Sequence, residues 1–220
     1  MGIIRKVFLL HLFLLISCSL SAQYQSIGFG IGAATFEGET STYEDFAVEE
    51  IGRSAYFYYN RWLKDSRWQY SFLATYHQIR GRIQVENFLV SNTLYQSRTR
   101  HFNLGAGMRY YLDPKLSHYQ PSRGQWAIFG AAYLGLESFY SNTEANRMGA
   151  GAAEYMNEDF KLSPYISGEL GLRIFINSEW YSEISGGMKY GHNDHWDGIA
   201  GPTNIKDYIG FVQLGLGYAF

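Results

Sequence analysis

The chain has 220 residues, enough for one domain or at most two small ones. Its 18 Lys+Arg and 20 Asp+Glu give a net charge of −2 without a basic stripe, which excludes a nucleic-acid partner. One cysteine excludes a disulfide-held body, and 19 Tyr, 15 Phe, 5 Trp and 24 Gly against 4 Pro fit a soluble secreted domain poorly.

Residues 1–22 read as a secretory signal peptide. Arg5 and Lys6 form the positive n-region, Val7 to Ile16 the apolar core, and Ser21-Ala22 the small residues before cleavage. The apolar run is too short for a transmembrane helix, and no second one follows. Cleavage after Ala22 removes two bases and no acid, so the exported body, residues 23–220, carries −4. The stretch LISC also admits a lipoprotein site with the lipid on Cys18; the Ser-Leu-Ser-Ala-Gln that follows reads instead as an ordinary cleavage region.

From there on, apolar residues recur at every second position, the period of a strand. In segment 24–36, Ile27, Phe29, Ile31 and Ala33 share one face, and Ser26, Gly28, Gly30 and Gly32 the other. Segment 51–63 carries the run Tyr56-Phe57-Tyr58-Tyr59. In 67–80, Trp68, Tyr70, Phe72, Ala74 and Tyr76 alternate with Gln69, Ser71, Thr75 and His77. In 98–112, Phe102, Leu104, Ala106, Met108 and Tyr110 alternate with His101, Asn103, Gly105, Gly107 and Arg109. Segment 125–138 opens near Trp126, and in 162–176 Ile166, Leu170, Leu172, Ile174 and Ile176 alternate with Ser167, Glu169, Gly171 and Arg173. In 179–190, Ile184, Met188 and Tyr190 alternate with Glu183, Ser185 and Lys189. In 208–220, Tyr208, Gly210, Val212, Leu214, Leu216, Tyr218 and Phe220 share the apolar face.

These segments are longer than ordinary soluble strands and match a tilted bilayer span of ~9–11 residues. Tyr56 to Tyr59, Trp68, Trp126 and Trp180 read as interfacial girdle aromatics. The links 64–66 and 177–178 are tight, whereas 37–50, 81–97, 139–161 and 191–207 are long and polar. With the N-terminus in the periplasm, the long links lie outside and the tight ones inside. The fold class is therefore all-β: an antiparallel up-and-down transmembrane β-barrel of about eight strands, OmpA/OmpX-like, in the outer membrane. Asp113 to Gln125, with Pro114 and Pro121, breaks the length rule, and its prolines read as order set against strand pairing.

An eight-stranded lumen is just wide enough to be filled by side chains. Arg109, Glu137, Glu169, Arg173, Glu183 and Lys189 face it from four adjacent strands, three acids against three bases, and are expected to pair. The last strand must pair with the first, because unpaired N–H and C=O groups in hydrocarbon cost several kcal/mol each. Leu216, Tyr218 and Phe220 also resemble the C-terminal signal that barrel-insertion machinery reads.

Chemistry is weakly signalled. His192, Asp194, His195 and Asp197 in GHNDHWDG have metal-ligand character, but a solvated loop is the plainer reading and no metal is expected. The lumen carboxylates lack the cleft a glycosidase pair needs. His77, His101, Ser71 and Thr75 raise hydrolase chemistry, but no G-x-S-x-G occurs. Glu37, Glu39, Glu44, Asp45, Glu49 and Glu50 make an acidic first outer loop without a calcium-loop pattern, either solvated or a surface for a basic partner. Neither enzyme activity nor a cofactor is expected.

Larger patterns narrow the reading. FGIGAATFEGET closes the first strand with an aromatic and then x-Gly-acid. YFYYNRWLKDSRWQYSFLATYHQIRGRI runs strand, Asn-Arg, tight turn, Arg-Trp and strand, and ELGLRIFINSEWYSEISGGMKYGHNDHWDGIAG repeats the layout. Together they resemble the PorG-like outer-membrane barrels of the type IX secretion system of Bacteroidetes. The loop His-Trp-Asp-Gly-Ile-Ala-Gly departs from that family's Asp-Tyr-Leu-Asp-x-Val-Ser-Gly. The resemblance implies a non-catalytic barrel that anchors periplasmic ring proteins of the secretion machine. Its partner surface would then lie on the periplasmic side, at Lys64, Arg67, Asp113, Lys115 and Arg123. The alternative is a stand-alone stabilising barrel of the OmpX kind, or a narrow pore.

Overall fold

Alternation over long segments, with few prolines to interrupt the ladder, gives eight strands. The computed structural model describes residues 25–37, 51–63, 67–85, 93–112, 123–147, 154–191 and 208–220. The signal segment with Cys18 lies outside them. In chain order the strands are β1 (Gln25–Glu37), β2 (Gly52–Trp62), β3 (Trp68–Val85), β4 (Thr93–Tyr111), β5 (Trp126–Arg147), β6 (Glu154–Phe175), β7 (Trp180–Gly191) and β8 (Tyr208–Ala219). Each pairs antiparallel with its sequence neighbour, and β8 closes on β1. The closing register runs from Ser26 opposite Ala219 to Glu37 opposite Tyr208. Below it, the N–H groups of Gln25 and Phe220 donate to each other's carbonyls at 2.9 and 2.8 Å. The seam therefore leaves no open edge, the condition for a sheet in hydrocarbon.

The exterior is apolar. Phe29, Phe72, Leu104, Leu134, Leu170, Leu214 and their neighbours are exposed. Trp68, Trp126 and Trp180 stand outward at the tight-turn end, where an interfacial girdle belongs. Two turns at that end are ordered locally. Asn177 Oδ1 accepts from the backbone N–H groups of Glu179 and Trp180 at 2.9 and 2.7 Å, an Asx turn between β6 and β7. Gly124 has φ +78°, and its N–H donates to the Phe175 carbonyl at 2.8 Å.

Two expectations change. The long outer links 81–97 and 139–161 are in large part strand. β3, β4, β5 and β6 have 18, 19, 22 and 22 residues, whereas β1, β2, β7 and β8 have 13, 11, 12 and 12. One half of the wall thus rises well above the other. Beyond the belt no continuous lipid-facing apolar side is required, so pairing continues there without the pattern that marks it below. The rise also carries a register shift between Phe139 and Ser141 on β5. The second change concerns the 113–125 segment. Its described end joins the sheet, since the Phe175 N–H donates to the Gln125 carbonyl at 2.8 Å. Pro114 and Pro121 lie outside the described residues.

Candidate functional site

Pleating sends every second side chain of a closed barrel inward. On β4 to β7 those positions hold Arg109, Glu137, Glu169, Arg173, Glu183 and Lys189, none more than 5% exposed. They fall into two tiers. In the lower tier Arg109 donates through Nη1 to both Glu183 oxygens at 2.9 and 3.0 Å, and through Nη2 to Glu169 Oε1 at 2.9 Å. Arg173 donates through Nε and Nη2 to Glu183 Oε2 at 3.1 and 2.8 Å. In the upper tier Lys189 Nζ donates to Glu137 Oε2 at 2.7 Å and to Asn103 Oδ1 at 2.8 Å. Asn103 in turn donates to Thr75 Oγ1 at 2.7 Å. Two guanidiniums meet two carboxylates below, and one ammonium meets one carboxylate above, so each tier is neutral.

The opposite wall supplies aromatics that sequence reading assigned elsewhere. Tyr56 and Tyr58 do not belong to an outer girdle. They face the lumen at 4% and 0% exposure, while Phe57 between them faces out at 51%. The signal was there: they share parity with Ser54 and Asn60, and their register partners are Gly30 and Gly28. A Cβ on Gly28 would collide with the Tyr58 ring, and one on Gly217 with Tyr181. Glycine on β1 and β8 thus makes the space that these rings occupy. The rings cover the charges. Arg109 lies over Tyr58 and Phe129 at 4.5 and 4.6 Å, and Arg173 over Tyr181 at 3.9 Å. Tyr133 accepts from Arg109 Nε at 2.8 Å and donates to Glu169 at 3.2 Å. Trp62, Tyr111, Phe129, Phe175 and Tyr181 form an apolar floor beneath, at the tight-turn end.

Above the upper tier His77 and His101 are register partners, both fully enclosed. His101 Nδ1 is 3.6 Å from Glu137 Oε2. Ser71 shares a 3.3 Å hydrogen bond with Tyr133, and Thr75 is engaged by Asn103; neither contact is with an imidazole. Among the described residues no group of three His, Cys, Asp or Glu is placed to hold a metal. His192, Asp194, His195 and Asp197, and the body of the acidic first loop, lie outside the described residues.

At the tight-turn rim, Arg67 donates to Tyr110 Oη at 3.3 Å and Arg123 is exposed. Lys64, Asp113 and Lys115 lie outside the described residues. On β8, Leu216 faces out and Tyr218 lies against Trp180 with ring centroids 5.1 Å apart; just past its end, Phe220 stacks on Tyr218 at 6.1 Å.

No family model matches the chain, and no curated protein matches it. Among solved structures it is similar to Ail, the attachment invasion locus protein of Yersinia pestis. That likeness has 13% identity over 90% of this chain and 99% of that one, with a TM-score of 0.49. It is also similar to Neisserial surface protein A, with 12% identity, coverage of 89% and 97%, and a TM-score of 0.45. Outer membrane protein OprG from Pseudomonas aeruginosa gives 11% identity, coverage of 90% and 96%, and a TM-score of 0.42. The fold itself rests on the strand pairing of this chain. A closed ladder, a belt of exposed Phe and Leu, and charges turned inward along that belt are the properties of a protein solvated by lipid. This chain is an eight-stranded barrel of the outer membrane.

Proposed function

We propose that the barrel is a non-catalytic structural anchor that docks a periplasmic assembly to the outer membrane, as a component of a type IX-like secretion apparatus. The observation that carries the reading is the lumen. Its charges are matched tier by tier, and rings close it below. A lumen so filled favours neither solute passage nor substrate binding. What is left for function is the wall and the rims. The PorG-like sequence pattern favours the periplasmic rim, with Arg67, Arg123, Lys64, Asp113 and Lys115 toward ring proteins, and with the insertion machinery and outer-membrane lipid as the other partners.

Deletion of residues 113–122 tests this directly. The variant keeps its heat-modifiable gel mobility, the mark of a folded barrel, and loses co-purification of periplasmic ring proteins from outer membranes. Undiminished recovery of the ring by a folded deletion variant sinks the docking reading.

A second reading is favoured by one observation, the raised half-wall of β3 to β6 on the outer side. A stand-alone barrel would carry its function on that wall, and under that reading purification yields lipid and no periplasmic partner.

A further inference from the structure

The apolar belt ends abruptly on β3 and β4. Their last outward aromatics, Tyr76 and Phe102, are register partners, flanked by Ala55 on β2 and Ser138 on β5. One outward step higher, the row reads Arg53, Gln78, Arg100, Tyr140. One step higher again, Arg80 is directly opposite Arg98, with Asn142 beyond. All four arginines are exposed. The Gln78 amide, turned so that its oxygen accepts, takes both Nε and Nη2 of Arg98. Among the residues whose side chains are described, no carboxylate is within ion-pair distance of any of the four.

This arrangement is unfavourable alone. Like charges directly opposite on neighbouring strands destabilise a sheet, and here two cationic rows are stacked on one patch. Position supplies what the patch lacks. It stands immediately above the belt on the side away from the tight turns, the level of the outer leaflet's headgroups. Arginine also presents a planar fork that matches phosphate oxygens two at a time. We infer that Arg53, Arg80, Arg98 and Arg100 form a headgroup site for a phosphorylated glycolipid of the outer leaflet. The acyl chains run down the belt beside Phe72, Phe102 and Leu104, where an apolar depression opens between β3 and β6. The site is independent of the periplasmic docking reading, since it is on the opposite rim.

The test uses the full mature barrel in neutral detergent, titrated with an acylated diglucosamine bisphosphate and with its dephosphorylated form. Wild type binds the bisphosphate and discriminates against the dephosphorylated lipid. The triple variant Arg80→Gln/Arg98→Gln/Arg100→Gln binds the bisphosphate about a hundredfold more weakly, and Arg100→Gln alone about fivefold. Arg123→Gln, at the opposite rim, leaves binding unchanged. Heat-modifiable mobility verifies folding, and the single variant keeps the test decisive if the triple does not fold. Equal binding of the two lipids by wild type, as when the chain's own acidic loop neutralises the patch, overturns the proposal. So does an unchanged affinity in Arg100→Gln.

Discussion

Glu183 accepts from Arg109, Arg173 and Tyr58 at once, so its carboxylate holds two strands' guanidiniums in one place. Removing its charge strands two buried cations with one remaining partner, Glu169. Glu183→Gln is therefore expected to lower stability by about 3–5 kcal/mol in urea titrations of the detergent-folded barrel. Arg173→Met added to Glu183→Leu removes one charge of each sign and keeps Arg109 on Glu169, so the double variant should lose less than the single one. Glycine gives a second contrast. Gly217→Ala drives a methyl into the confined Tyr181 ring and should cost about 1–3 kcal/mol, whereas Gly168→Ala meets nothing nearer than the Ala131 carbonyl at 3.9 Å and should stay within about 0.5 kcal/mol. Both are read by the same titration. At this scale the inward charges were legible, because a charge on the polar parity of a membrane strand has nowhere else to point. Tyr56 and Tyr58 were not. An aromatic is at home both in a girdle and against a guanidinium, and only strand parity separates the two.

Strand centres were legible and strand ends were not. β1, β2, β7 and β8 agree with the sequence segments to within about a residue or two, because their apolar alternation stops close to where their pairing stops. On β3 to β6 the outward apolar face stops at the belt while the ladder continues, so the lipid-facing pattern no longer marks where pairing ends. The continuation lies beyond the lipid-facing belt, which gives it a measurable signature. In hydrogen exchange, amides of Gly81 to Val85 and of Thr93 to Ser97 should exchange at least about a hundredfold faster than those of Phe72 to Tyr76. Uniform protection along β3 would mean that the raised wall is packed against something else.

For the molecule as a whole, closure and filling act together. Eight strands give a narrow cylinder, and Tyr58, Tyr133, Tyr181 and the paired charges stand inside it. Planar bilayers containing the protein should show no steady conductance, and a stable open state would contradict the anchor reading in favour of a pore. The eight-strand closure could be read from segment count and period alone. The neutral pairing could be expected from three acids against three bases, but its division into two tiers could not, since vertical position depends on strand stagger that no single segment encodes.

The most direct test is methyl NMR in lipid nanodiscs with two paramagnetic agents, one dissolved in the acyl chains and one in water. Leu104, Leu134, Leu170 and Leu214 should be broadened by the lipid-borne agent, while Leu73, Ile79 and Ile209, which face inward, should be broadened by neither. Broadening of Leu73 by the aqueous agent would mean a wet lumen, and protection of Leu170 and Leu214 from the lipid-borne agent would mean that this face does not meet the membrane.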